Sequence, residues 1–210
     1  RKEGKTVEAM RGDAAQEDGL VREAIDAYAT GFRKDPTHYY SGINAVALLH
    51  VLSDLTGKDE KPDVRKEMEG GVRWAVRGAL EKDAKDYWAR VTLAELEVLV
   101  NAKETAEAAY RNAVAVADRD WFKLNSSREQ LLLLKDIGFR STEVTAALQV
   151  IERTLNRLTP PETRWAPRQV FLFSGHMIDT PGRPEPRFPP DKEKVAAAGI
   201  AAKLTELGFG

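Results

Sequence analysis

The spacing of apolar residues divides the chain near residue 158. From residue 1 to residue 158, apolar side chains recur at intervals of three and four positions, which predicts a succession of amphipathic α-helices. The clearest apolar stripe follows a predicted N-cap at Ser141 and consists of Val144, Leu148, Ile151, Leu155 and Leu158. Because the connections between helices are very short, consecutive helices are expected to be antiparallel. The pattern therefore predicts at least seven helices arranged as hairpins.

Proline, glycine and capping residues give the expected helix bounds. One helix carries Tyr28 and Phe32 and ends before Pro36, because proline cannot continue it. Further helices are predicted over residues 41–56, 62–83, 87–101, 103–117 and 126–137. Ser126 and Glu129 form a capping-box pattern at the start of the last of these. The Gly70-Gly71 pair inside the 62–83 helix predicts the close approach of a neighbouring helix, because glycine otherwise weakens a helix.

Two of these helical segments repeat the same order of side-chain sizes. Residues 23–36 and 106–118 each place a small residue, a tyrosine (Tyr28 or Tyr110), a small residue and a large apolar residue in turn. A weaker third copy begins at Val72, 34 residues before Ala106, which is the period of a tetratricopeptide repeat. The sequence resembles that family, and the resemblance implies a tetratricopeptide-like α-solenoid of antiparallel helical hairpins. An ordinary helical bundle is the alternative, since alanine and tyrosine at helical spacing also fill bundle cores.

A more particular resemblance begins at Tyr39, in the segment Tyr-Tyr-Ser-Gly-Ile-Asn that runs to Asn44. It is similar to a signature of the tetratricopeptide-like regulatory (TRAF-binding) region of apoptosis signal-regulating kinases and of related bacterial proteins. Tyr87-Trp88 and Trp121-Phe122 also fit that region, so the similarity covers about residues 24–158. The resemblance implies a regulatory, partner-binding and non-catalytic role within a larger, bacterial signalling protein.

If the hairpins stack as a solenoid, the first helix of each pair lines a concave groove where partners bind. Those helices are the predicted segments 41–56 and 87–101 and the region 121–137. The candidate contacts with a protein or peptide partner, or with neighbouring domains of the same polypeptide, are Asn44, His50, Arg90 and Glu95. Plain surface positions or hydrogen bonds between helices are the alternative for all four. Trp88 and Trp121 are expected to fill the core.

The pattern changes after residue 158. Residues 159–167 form a predicted linker. Residues 168–210 are predicted to form a truncated α/β segment with one strand, one loop and one helix. The run from Arg168 to Phe173 is apolar on both faces and predicts a buried strand. We expect the sequence to be a fragment, because it opens at Arg1 without methionine and ends where another parallel strand would begin. The unpaired strand edge near Val170 would permit a homodimer.

The loop after this strand is the second candidate site. Residues 173–189 resemble a segment that joins tetratricopeptide-like regions to Rossmann-like nucleotide-sensing domains, which implies a ligand loop. Its candidate residues are Ser174, Gly175, His176, Asp179, Arg183 and Arg187. His176 and Asp179 would also suit a general base or two metal ligands, but a loop histidine bonded to backbone is favoured. If the resemblance holds, the remaining glycine-rich loops lie beyond Gly210, and this chain should bind no nucleotide well.

Charge and composition exclude several classes of function. The chain has 32 basic and 33 acidic side chains, so its net charge of -1 offers no field that attracts nucleic acid. It has no cysteine, which excludes disulfides and thiolate chemistry and suits the cytoplasm. No apolar run is long enough to predict a membrane span. We therefore expect no catalytic residue, cofactor or metal, and predict a non-enzymatic interaction scaffold or regulatory module; a truncated nucleotide or small-ligand sensor is the alternative.

Overall fold

The computed structural model of the chain describes residues 5–158. The chain divides into two units, residues 1–164 and 165–210, and the described residues all belong to the first. Eight helices follow one another in this part: α1 (Val7–Gln16), α2 (Asp18–Lys34), α3 (Tyr39–Thr56), α4 (Pro62–Lys82), α5 (Tyr87–Val100), α6 (Lys103–Ala115), α7 (Trp121–Asp136) and α8 (Ser141–Leu158). No strand occurs between residues 5 and 158. The predicted mainly α fold is thus confirmed for the described residues.

The helices begin and end where local chemistry satisfies their free backbone groups. The Asp86 carboxylate accepts a hydrogen bond from the amide of Ala89 at 3.1 Å and caps α5. The Asp120 carboxylate accepts from the amides of Phe122 and Lys123 at 2.9 and 3.2 Å and caps α7. The start predicted for α7 at Ser126 is therefore wrong, because a stronger cap lies six residues upstream. Gly57 ends α3 with a left-handed φ of 68°, which suits glycine.

The helices pack mostly against their neighbours in the chain. From α2 to α6, each helix contacts the next, and α3 also contacts α5. The last helix breaks this order, because α8 packs against both α6 and α7 and reaches α5. Helix α1 has no buried residue and rests against α2 and α3. The predicted first helices α3 and α5 are thus neighbours, whereas α7 packs chiefly against α8.

Two groups of buried side chains form the interior, and α5 contributes to both. One group lies among α2, α3, α4 and one side of α5, and the other among α5, α6, α7 and α8. Nine of the fourteen residues of α5 are buried. Tyr110 of α6 is fully buried in the second group. Trp88 does not fill the core as predicted, because 42% of its surface is exposed at the first turn of α5.

Close contact of α2, α3 and α4 depends on two glycines that flank the ring of Phe32. A Cβ atom at Gly42 would lie 3.0 Å from this ring and 2.5 Å from Cγ2 of Val72. A Cβ atom at Gly71 would lie 3.1 Å from the same ring, whereas one at Gly70 would meet nothing within 4 Å. The close approach predicted for the glycine pair is therefore correct for Gly71 and wrong for Gly70.

Candidate functional site

A groove opens between α3, α5 and α7. Its lining residues are Ile43, Asn44, Ala47, Glu95, Val98, Leu99, Gln130, Leu131 and Leu134. We call it the α3–α5–α7 groove. Its enclosed volume is only about 20 Å³, room for about one water molecule, so it is a shallow surface groove rather than a preformed pocket. Of the four predicted partner contacts, the groove brings Asn44 and Glu95 together.

Asn44 and Gln130 supply the amide groups of the groove. The Asn44 side-chain nitrogen donates to the backbone oxygen of Tyr40, one turn earlier in α3, at 2.7 Å. This bond holds the amide against its own helix and leaves the side-chain oxygen as an acceptor toward the groove. Asn44 is half-buried, as is Gln130 on the opposite wall. Amides so placed are suited to the main-chain groups of an extended peptide.

Among the described residues, Glu95 is the only one with a carboxyl group that lines the groove. It is half-buried, and within residues 5–158 its side chain makes no hydrogen bond or ion pair. Burial raises the pKa of Glu95 to about 7. The Glu95 charge in turn raises the pKa values of Tyr87 and Tyr110, after the larger effect of burial on each. A carboxyl group near neutrality can exist in either protonation state at physiological pH.

His50 lies outside the groove, in a network between α3 and α4. In its neutral form its Nε2–H donates to Oε1 of Glu69 at 2.8 Å, and that oxygen also accepts from Arg65 at 2.8 Å. Arg65 continues the network to Asp59 at 2.7 Å. Burial and then the Arg65 charge lower the pKa of His50, although Glu69 opposes the shift. The histidine is thus a polar link between two helices and also lines an open cavity of about 520 Å³, so its part in partner binding stays a prediction.

Arg90 is separate from both places. Its Nε donates to the backbone oxygen of Ala84 at 2.8 Å, which ties the start of α5 to the loop after α4. This contact again fits the alternative of a hydrogen bond within the fold. The four predicted contacts therefore fall into one pair in the groove, Asn44 and Glu95, and two residues engaged elsewhere.

A row of exposed aromatic rings begins the same three helices, at the aromatic pairs that carry the family resemblance, and its exposure was not predicted. Each helix opens with two aromatic residues: Tyr39-Tyr40 in α3, Tyr87-Trp88 in α5 and Trp121-Phe122 in α7. The first ring of each pair is at least half-buried. The second is exposed, by 58% at Tyr40, 42% at Trp88 and 66% at Phe122. The sequence signal for this row was a pair of aromatic residues directly after a capping position, repeated at three helix starts.

The inner rings connect the three helices at this end. The Tyr39 hydroxyl donates to the Asp86 carboxylate at 3.2 Å, which joins the start of α3 to the cap of α5. The Tyr87 hydroxyl lies 3.0 Å from the backbone oxygen of Lys123 and 2.8 Å from the hydroxyl of Ser127, which joins α5 to α7. The outer rings of Trp88 and Phe122 meet edge to face, with centroids 6.5 Å apart.

The family described as MAP3K TRAFs-binding domain matches residues 6–152 of the chain. The chain belongs to this family. No curated protein and no solved structure matches it. The resemblance to the TRAF-binding region is thereby confirmed, and the match begins earlier than the predicted residue 24, so that it includes α1. The groove and the aromatic row both lie inside the matched residues.

Membership in the MAP3K TRAFs-binding domain family indicates a protein-interaction, regulatory module and a protein partner. Between residues 5 and 158, no cluster of histidine and carboxylate side chains could hold a metal ion. Among the helices of that part, none is long and apolar enough to cross a membrane. The second candidate site, with Ser174, Gly175, His176, Asp179, Arg183 and Arg187, lies outside the described residues.

Proposed function

We propose that the chain is a non-enzymatic interaction module of a larger signalling protein, and that it holds a protein partner in the α3–α5–α7 groove. The observation that carries the proposal is the groove itself, within the residues that match a partner-binding family. Its floor is apolar, with Ile43 and Leu131 almost fully buried, and its polar groups are few. Recognition sites for peptides combine these two features, since apolar contact supplies affinity and a few polar groups fix orientation.

We also propose that the helices form tetratricopeptide-like hairpins. In α2, α4 and α6, buried residues recur at intervals of four and then three. The three sets are Ile25, Ala29 and Phe32; Met68, Val72 and Ala75; and Ala106, Tyr110 and Ala113. In this register Tyr110 corresponds to Ala29 rather than to Tyr28, which is half-buried and meets Tyr40 edge to face. Val72 corresponds to Tyr110 rather than to Ala106, so the spacing from α4 to α6 is 38 residues and not the predicted 34. Equivalent buried positions on alternate helices support a stack of hairpins.

The test is to fill the groove and measure peptide binding. Random phage-displayed peptides are selected on the immobilised full chain, and the enriched peptides are synthesised and titrated against variants. Ala47→Trp and, separately, Gln130→Trp place an indole in the groove, whereas Ala108→Trp places one on the exposed face of α6. We expect the two groove variants to lose binding and Ala108→Trp to keep it, with circular dichroism confirming that all three fold.

Peptides that bind all three variants equally would place the interaction elsewhere and contradict the groove proposal. Failure to enrich any peptide would contradict it as well. The cytoplasmic location, the bacterial source and a homodimer formed near Val170 stay predictions from the sequence. So does the alternative of a nucleotide or small-ligand sensor, which calorimetry with a nucleotide panel on a protein extended beyond Gly210 would test, with a Gly175 variant as its control.

A further inference from the structure

We propose that the α3–α5–α7 groove takes a lysine or arginine side chain of its peptide partner, and that the carboxylate of Glu95 pairs with its cation. This inference rests on the proposed function, because it names the chemistry of the partner that the groove would recognise. It concerns a single contact, so it can fail while the groove remains the binding surface.

The first support is the contrast between Glu95 and the other buried acids. Glu97, on the same helix, pairs with Arg73 and with the amide of Asn101. Glu69 accepts hydrogen bonds from His50 and Arg65. Glu95 has no such partner within residues 5–158; it is half-buried, so its carboxylate loses part of its hydration without a compensating contact. A group of this kind in a groove is a candidate for pairing with a ligand.

The second support is the complementarity between the groove and a long basic side chain. The walls around Glu95 are apolar, with Ala47, Val98 and Leu134 as lining residues. The aliphatic stem of a lysine or arginine can lie along such walls while its cation reaches the carboxylate. Among residues 5–158, no basic residue lines the groove, so none of them competes for the carboxylate. An acidic partner side chain would instead meet like charge in a poorly hydrated place.

The titratable groups that face Glu95 do not replace a cation. Within residues 5–158, the groups whose pKa values the Glu95 charge raises are Tyr87 on the same helix and Tyr110 on α6, and the hydroxyl of Tyr87 is engaged by Ser127. The hydroxyl of Tyr110 is buried and has no partner within the described part of the chain. Burial raises the pKa values of both tyrosines, so neither is charged at neutral pH. An incoming cation would therefore be the charge that stabilises ionised Glu95.

The experiment is a double-mutant cycle between the chain and a bound peptide. The probes are the peptides enriched on the wild-type full chain, each remade with its basic residue replaced by norleucine, which keeps the stem and removes the charge. We expect Glu95→Gln and the norleucine change each to weaken binding about tenfold, and the two together to weaken it little further. Glu67→Gln, at an exposed position of α4, is the matched control and should leave binding unchanged.

Proton release provides a second readout. Because ionised Glu95 is the form that binds, titration at pH 6.5 in two buffers of different ionisation enthalpy should show a proton released from the wild-type chain and none from Glu95→Gln. Two results would overturn this inference and leave the groove in place. One is that the peptides lose binding to Ala47→Trp but carry no basic residue; the other is that they bind Glu95→Gln as tightly as wild type. Insensitivity to Ala47→Trp would instead overturn the proposed function.

Discussion

Glu95 gives the unliganded fold a dependence on pH that can be worked out from one side chain. Its pKa is about 7 in the folded chain and near the ordinary value of 4.5 in the unfolded chain. Between these values the folded state binds more protons, so stability falls as pH rises from about 4.5 to about 7 and stays reduced above. The groove thus keeps a group that its own fold would be more stable without, as binding sites often do.

Replacing Glu95 by glutamine should therefore stabilise the chain in a pH-dependent way. We expect Glu95→Gln to be more stable than wild type at pH 8 by on the order of 1–3 kcal/mol, because the cost of an ionised carboxyl disappears. Below about pH 4 the difference should close, because wild-type Glu95 is then protonated in both the folded and the unfolded state. Urea unfolding at the two pH values measures it, with Glu67→Gln as control. Equal stability of Glu95→Gln and wild type at both pH values would contradict the buried, unpaired state of this carboxyl.

At the scale of helices, the sequence predicted those elements whose buried face has a regular period. The bounds of α4 and α5 were predicted to within about one residue, and Pro62 marks the start of α4. The N-cap predicted at Ser141 is wrong, because Ser141 is the first residue of α8 and its hydroxyl donates to the backbone oxygen of Gly138 at 3.0 Å. Helix α1 was missed because it buries no side chain and is held by polar contacts, chiefly from Arg11 to Asp54 at 2.7 Å. No apolar period can reveal such a helix. The exposed aromatic row was not predicted, because which ring of each pair is buried depends on how the starts of three helices pack together.

The two members of an aromatic pair should differ sharply in their effect on stability. Tyr87 is buried and joins α5 to α7, so Tyr87→Ala should cost about 3 kcal/mol or more through a cavity and lost hydrogen bonds. Phe122 is 66% exposed, so Phe122→Ala should cost less than about 1 kcal/mol. Chemical denaturation of both variants gives the comparison. Similar losses would show that the outer rings contribute to the core rather than to an accessible surface.

Over the whole described part, α5 decides how the two buried groups are related. It offers Tyr87, Val91 and Val98 to one group and Ala89, Leu96 and Leu99 to the other. Its sequence is apolar nearly all round, which predicted a buried helix but could not show which residues face which neighbours. The same limit applied to the groove. Asn44 and Glu95 were chosen as polar residues of first helices, but only the packing of α3 beside α5 separates them from His50 and Arg90.

Because α5 belongs to both buried groups, residues 5–158 should unfold as one unit. Val72 is fully buried in the group around α2, α3 and α4, so Val72→Ala should cost about 1–3 kcal/mol. If α5 couples the groups, native-state hydrogen exchange should speed up by the same factor in the slowest amides of α8 as in those of α3. Val7→Ala, at a 39% exposed position of α1, should leave both sets unchanged. Faster exchange confined to α2, α3 and α4 would mean that the groups open separately, and the groove between α3, α5 and α7 would then open with them.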